Sequence, residues 1–281
     1  MNELIKLIAL DLDGTLYNSQ GLISERNKSV IKQAIAAGVT VIISTGRPYV
    51  GLPLEDMTVL GIQYAITANG AAVYKVPGKE LLFDDCMPPS VSVPLLLELY
   101  QHRIHLDAFI NGDGYTQNST LEYVSHLNIP ESLRKYITST RKNIASLPDY
   151  ISEHNLPVAK MTINFMPDGN GGYIDRDKVE ALFKSHKELS YVCGGFSNLE
   201  CTNAGISKSK GLSFLCDYLA IPMSATMACG DSENDLDIIS AAAVGVAMSN
   251  AQQLILDKAD FISKSNDEDG VAYAIEKLLQ L

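Results

Sequence analysis

The chain has 281 residues, 46% of them hydrophobic and 20% charged, the balance of a globular protein large enough for one big core or two smaller ones. Its net charge is −11 and no Lys/Arg cluster relieves that acidity, which excludes a nucleic-acid partner on electrostatic grounds. No apolar stretch approaches membrane-spanning length, the N-terminal MNELIKLIALDLDG lacks the form of a signal peptide, and five widely spaced cysteines without a CxxC pair read as free thiols in a reducing cytosol.

The apolar run over residues 4–10, bounded by Gly14, predicts a buried parallel strand. A helix is predicted from about Ser24 to Ala37, with Ser24 as N-cap, Val30, Ile31, Ala34 and Ile35 as its apolar stripe, and Gly38 as its stop. VTVIIS follows as a second buried strand ending in Thr45-Gly46-Arg47-Pro48, and a helical stretch near 49–60 leads to a third strand, QYAITANG. Strand and helix alternate, so the first 75 residues read as a parallel sheet with crossover helices.

Gly78, Pro88 and Pro89 break that rhythm. From 84 to 195, two helical segments (about 90–103 and 174–187) mix with alternating strands such as HLDAFI and AKMTINFM, and NGDG and PDGNGG are loop signals. After about 196 the βα rhythm returns with SNLECT, a helix over about 208–219, TMACG, a helix after Glu233, VGVAM, and a last helix, GVAYAIEKLLQ. The expectation is one α/β core made of residues 1–83 and 196–281, interrupted by an α+β module over 84–195.

Asp11 and Asp13 stand at the first strand exit in LIALDLDGTLY, and GDSENDLD carries Asp231, Asn234 and Asp235 far along the chain. Carboxylates two residues apart at a strand end can point to one side. A distant third carboxylate can complete an oxygen cage for a hard divalent cation such as Mg2+. In an open parallel sheet, ligands bind at the carboxyl ends of the strands, and Asp11, Thr45, Asn69 and Asp231 each lie just past an apolar strand. They are expected to converge. All five histidines fall in the inserted module, so nothing favours histidine-based chemistry.

With these residues in view, the chain resembles the haloacid dehalogenase superfamily phosphatases, in the Cof-like group with a type IIB cap. The family's DxDGT is Asp11-Leu12-Asp13-Gly14-Thr15, and its strand-end Ser/Thr is Thr45 in ISTGRP. Its helix-opening Lys is best matched by Lys208 in GISKSKGLSFL, and its GDxxND is Gly230-Asp231-Ser232-Glu233-Asn234-Asp235. Asn69-Gly70-Ala71 and the ending SNDEDGVAYAI extend the likeness over nearly the whole chain. SKSKG replaces the usual SKG, so Lys210 competes with Lys208. The two are about 200° apart on a helix and cannot face one point. Ser207 as N-cap favours Lys208.

The resemblance implies a Rossmann-like parallel-sheet core with an inserted α+β cap of the C2B type. It implies that Asp11 is a nucleophile and Asp13 a general acid and base. Mg2+ is implied on the Asp11 carboxylate, the Asp13 backbone carbonyl and Asp231. Thr45 and Lys208 would address the phosphoryl group, with Leu12, Gly46, Arg47 and Asn234 as further phosphate contacts. Asp235 would hold Lys208 or a metal-bound water, and Arg47 has a structural salt bridge as its alternative role. The implied partner is a small phosphorylated metabolite, sugar phosphates first, for a cytoplasmic monomer or weak homo-oligomer. Two alternatives stand beside hydrolysis. One is a sugar phosphomutase, whose fourth motif is expected to be longer than GDSENDLD. The other is a noncatalytic sugar-phosphate sensor, although every expected group is retained.

Overall fold

The computed structural model describes residues 5–194 and 198–280. Strands β1 (Leu7–Leu10), β2 (Thr40–Ser44), β3 (Tyr64–Thr67), β4 (Ala72–Lys75) and β5 (Glu80–Asp84) come first. Then come β6 (Ile104–Ile110), β7 (Asp113–Gln117), β8 (Arg141–Ile144), β9 (Lys160–Phe165), β10 (Leu189–Cys193) and β11 (Leu199–Asn203). β12 (Thr226–Gly230), β13 (Val244–Ala247) and β14 (Phe261–Ile262) close the series. The chain divides into two compact units, Met1–Gly46 with Leu52–Phe83 and Ser207–Leu281, and Arg47–Gly51 with Asp84–Ile206.

The first unit is built on an eight-stranded sheet of order β14-β13-β12-β1-β2-β3-β4-β5. All pairs from β14 to β3 are parallel. β1 lies near the middle and all four of its residues are buried, as a parallel strand covered on both faces requires. Its register sets Leu10 level with Cys229 of β12 on one side and Ile43 of β2 on the other. The carboxyl ends of β12, β1, β2 and β3 therefore lie side by side, and β1 is the point where the strand order reverses.

Local signals account for the helices that flank this edge. Helix Glu25–Ala36 starts where Ser24 Oγ accepts the Asn27 N–H at 3.1 Å, and it buries Val30, Ile31 and Ala34. Helix Lys208–Leu219 rests on the sheet through Leu212 and Leu215, which pack with Leu7, Ala9, Ile42 and Ile66. Each such leucine contributes about 1.5–3 kcal/mol on burial, so the packing firmly fixes where the helix begins.

Two features of the first 75 residues differ from the sequence expectation. The stretch 49–60 is not one helix, because Pro53 separates a single 3-10 turn, Tyr49–Gly51, from helix Leu54–Leu60. The early sheet is not wholly parallel, since β4 runs antiparallel to β3. Asn69 and Gly70, at φ 57° and 99°, reverse the chain between them.

The second unit has a six-stranded sheet of order β10-β11-β9-β6-β7-β8, antiparallel apart from β7–β8. One face is apolar, where Leu106, Ala108, Met161, Ile163 and Leu199 pack on Leu95, Leu99, Ile151, Val179 and Phe183. The alternate residues are polar yet buried. Arg141 Nε donates to Asp107 at 2.8 Å, Lys160 pairs with Glu200 at 2.7 Å, and the His105 ring lies between Thr116 and Asn164.

SNLECT corrects the expected domain boundary. The 195/196 junction lies outside the described residues, but Leu199–Asn203 pairs with β10 and β9 and belongs to this second sheet. The antiparallel partner supplied by β10 outweighs the strand's position next to the returning core. Among the described residues, no helix is long and apolar enough to cross a membrane.

Candidate active site

The β1–β12 ladder runs one residue past β1, with the Asp11 N–H donating to the Cys229 carbonyl at 3.1 Å, and the Asp11 side chain emerges at the sheet edge while remaining 5% exposed. The chain then turns tightly. The Leu12 carbonyl accepts the Tyr17 N–H at 2.8 Å, the Asp11 carbonyl accepts the Leu16 N–H at 3.2 Å, and Gly14 adopts φ +81°. A Cβ on Gly14 would collide with the Asp231 carboxylate, so glycine alone allows the two acidic loops this approach. Thr15 Oγ1 donates to Asp231 Oδ1 at 3.1 Å across the same gap. Leu12 is buried in the turn and Asp13 is exposed.

Lys208 arrives by the start of its helix. Ser207 caps that helix, its Oγ accepting the Lys210 N–H at 3.3 Å. Gly70 packs so closely on the Ser207 carbonyl that no Cβ fits there. Lys208 Nζ is fully buried and donates to Asp11 Oδ1 at 2.7 Å and to Asp235 Oδ1 at 2.6 Å. Burial alone would lower the ammonium's pKa, but the charges of Asp11 and Asp235 outweigh it and hold the group above its ordinary value. Lys210 turns elsewhere, with Nζ 6.0 Å from the centre of the Phe83 ring.

The acidic box past β12 is one reciprocally capped turn, Glu233–Asp235, with Ser232 before it. Asp235 Oδ2 accepts the N–H groups of Asp231 and Ser232 at 3.1 and 3.2 Å, while Oδ1 takes Lys208. Both its oxygens are thus engaged. Ser232 Oγ donates to Asn234 Oδ1 at 2.7 Å and turns the Asn234 amide toward Asn69, whose Oδ1 it meets at 3.2 Å. The Asn69 N–H in turn donates to the Thr45 carbonyl at 3.2 Å. Hydrogen bonds thereby tie the loops after β12, β3 and β2 together.

Asp11, Asp231 and Asp235 each offer a carboxylate oxygen within 4.8 Å of the others. With Asp235 already engaged, Asp11 and Asp231 are the groups available to a cation. Burial raises Asp11 well above the usual carboxylate range against the pull of Lys208, and Asp235, Asp231 and Asp13 push the same way. Burial and the charge of Asp235 push Asp231 up to about 7. Three clustered carboxylates beside one ammonium, with the charge of Asp13 acting on two of them, leave an excess of negative charge that a divalent cation would neutralise. An all-oxygen donor set suits a hard ion of the Mg2+ type. The residues fit such an ion.

Of the residues singled out in the sequence, Asp11, Asp231, Asp235 and Lys208 thus come together, and Asn234 and Thr45 join through Asn69. Gly46 ends the first segment of the core unit, and Arg47 begins the other unit. There the Arg47 guanidinium lies 4.5 Å from the Tyr136 ring centre and donates to the Gly51 carbonyl at 3.2 Å. The sequence reading gave no role to Thr15, nor to the Asn69 side chain. Their signals were the threonine closing DLDGT and an Asn-Gly pair at a strand end.

A profile of the haloacid dehalogenase-like hydrolase family matches residues 8–275. Phosphatase YwpJ of Bacillus subtilis is 31% identical, with 98% of this chain and 100% of that one covered. The 5-amino-6-(5-phospho-D-ribitylamino)uracil phosphatase YcsE of the same organism is also 31% identical, covering 96% and 94%. A solved haloacid dehalogenase-like hydrolase from B. subtilis superposes with a TM-score of 0.83 at 30% identity, over 98% and 100% of the chains. The chain belongs to the haloacid dehalogenase-like hydrolase family, in its Cof-like group. It is a phosphatase.

Proposed function

We propose that the protein hydrolyses small phosphorylated metabolites, sugar phosphates first among them, in two steps through Asp11 with Mg2+ as cofactor. The observation that carries this reading is the buried Lys208 ammonium shared by Asp11 and Asp235, with Asp231 beside them. The Asp11 carboxylate attacks phosphorus as the ester P–O bond breaks, and Asp13 gives its proton to the departing oxygen. Asp13 then takes a proton from water, whose oxygen attacks the aspartyl phosphate and releases Asp11 and inorganic phosphate. Dividing the hydrolysis in this way replaces one very slow step with two easier ones.

Mg2+ would be held by the Asp11 and Asp231 carboxylates and the Asp13 carbonyl, and when bound it supplies positive charge to the phosphoryl oxygens. Lys208 favours the ionised form of Asp11 against its burial, orients the carboxylate by the 2.7 Å hydrogen bond, and places a second positive charge at the reacting group. Thr45, Asn234 and the backbone at Leu12 and Gly46 would hold phosphoryl oxygens.

The relative YcsE supports the substrate class, since its name specifies a phosphate carried on a ribityl chain. The five cysteines are free, which fits a cytoplasmic enzyme. The test is a screen of phosphorylated sugars, nucleotides and vitamin intermediates ranked by kcat/KM, with p-nitrophenyl phosphate as the generic substrate. Metal-dependent release of phosphate to water is expected. Transfer mainly to an added sugar would replace hydrolysis with phosphotransfer, and no turnover on any ester would refute the reading.

A further inference from the structure

The ending SNDEDGVAYAI has no part in the chemistry above, yet it reaches back to the loop that carries Asp13. Asn250 Nδ2 donates to the Gly14 carbonyl at 2.9 Å, and its Oδ1 accepts the Asn266 N–H at 3.0 Å. Asn266 Nδ2 donates to the Tyr17 carbonyl at 2.9 Å, and Asp267 Oδ1 accepts the Ser19 N–H at 2.8 Å. Tyr17 itself forms a β-bridge with Asp13. Carbonyls on both sides of the turn are therefore held by side-chain amides. The Asn250 amide meets a carbonyl on one side and an N–H on the other, which only one orientation satisfies, and the Asn266 amide faces a carbonyl that only its nitrogen can serve.

The loop bearing Asn250 is also fastened to the other acidic loop. The Met248 N–H donates to the Gly230 carbonyl at 3.1 Å, and the Gln252 N–H donates to the Asp231 carbonyl at 2.9 Å. Asn250 thus links the Asp13 turn to the Asp231 turn. Between Leu16 and Ile23 no residue is buried, so this stretch lacks apolar packing to fix it and depends on such bonds. The turn Asn266–Glu268 is itself rigidified by a reciprocal cap between Ser265 and Glu268.

We infer that Asn250 and Asn266 are positioning residues that, through the Gly14 and Tyr17 carbonyls, set the placement of Asp13 for proton transfer to the leaving oxygen. The inference rests on the general-acid role given to Asp13 above. The step concerned breaks the Asp13 O–H bond and the ester P–O bond together, and the proton goes to the departing oxygen. Neither asparagine touches the reacting atoms.

A leaving-group comparison tests this. An alkyl ester such as glycerol phosphate needs a proton on its leaving oxygen, whereas p-nitrophenolate departs with little help. For Asn250→Ala and Asn266→Ala, the alkyl-to-aryl ratio of kcat/KM is expected to fall about three- to tenfold, the effect of losing one or two ordinary hydrogen bonds. Asp13→Asn should lower the ratio much further. Asn250 is exposed, so its variant is expected to fold as the wild type does, with Tm lowered by only a few degrees, about what two lost surface hydrogen bonds cost. Equal losses on both esters, or no loss, would overturn the inference. If Asp13→Asn itself leaves the ratio unchanged, the role given to Asp13 fails, and with it the premise. If only the asparagine variants leave it unchanged, the inference alone fails.

Discussion

Lys208 and Asp11, 197 positions apart in the chain, meet through a 2.7 Å hydrogen bond in which the ammonium has no exposed surface. The bond exists because β1 pairs with β12 and because helix Lys208–Leu219 docks by its first residue over the Asn69-Gly70 turn. A buried cation must be paired to be tolerated, and here two carboxylates share the task.

Replacing that ammonium should therefore damage both stability and turnover. Lys208→Met leaves Asp11 and Asp235 buried without a counter-charge. A loss of about 3–5 kcal/mol in urea unfolding is expected, together with a fall in kcat of about 100-fold or more. Lys210→Ala should stay near wild-type activity, because its Nζ lies by Phe83. Equal effects of the two substitutions would contradict the assignment of Lys208.

The elevated Asp231 makes cation binding depend on pH. The metal-free folded protein holds a proton there until about pH 7, whereas the unfolded chain releases it near pH 4, approximately. That proton's contribution to stability is complete at low pH and is lost as pH rises through the folded-state value. A cation requires the ionised carboxylate, so the rise in Tm on adding Mg2+ should be larger at pH 8 than at pH 6. Apparent affinity should change by up to about tenfold per pH unit below the titration. Asp231→Asn should reduce this dependence together with the Tm rise itself, the remainder coming from Asp11, and identical wild-type Tm shifts at both pH values would count against Asp231 as a ligand.

Two glycines with positive φ separate close approach from backbone strain. Gly70 faces the Ser207 carbonyl, while Gly78, at φ +90°, has nothing within 4 Å of where a Cβ would stand. Gly78→Ala should cost about 1 kcal/mol from conformation alone. Gly70→Ala should cost about 2–4 kcal/mol and also lower kcat, since it displaces the residue that caps the Lys208 helix. Similar unfolding midpoints for the two variants would argue against this docking.

Much of the edge that carries the site was legible in the sequence because each piece announces itself locally. A continuous apolar run followed by DLDGT marks a buried strand and its exit, and Ser207 marks the helix start that puts Lys208 in the first turn. The second sheet was harder to read. SNLECT has the alternation of a strand whichever sheet it joins, and only its pairing with Leu189–Cys193 decides the matter. Helices Glu131–Thr140 and Leu147–His154 also went unread. They bury few residues, so their apolar stripes are short. The Asn250–Gly14 and Asn266–Tyr17 bonds were invisible for another reason: each joins a side chain to a distant carbonyl, and carbonyls carry no sequence signal.

The proposed hydrolysis turns on phosphorylation of Asp11 itself. The direct measurement is acid quenching of the wild-type enzyme during turnover, followed by proteolysis and mass spectrometry of the peptide containing Asp11. A phosphate adduct on Asp11 that disappears when substrate is exhausted, and that never forms in a folded, inactive Asp11→Asn variant, is the expected result. Sustained turnover by Asp11→Asn, or an adduct on another residue, would contradict the account.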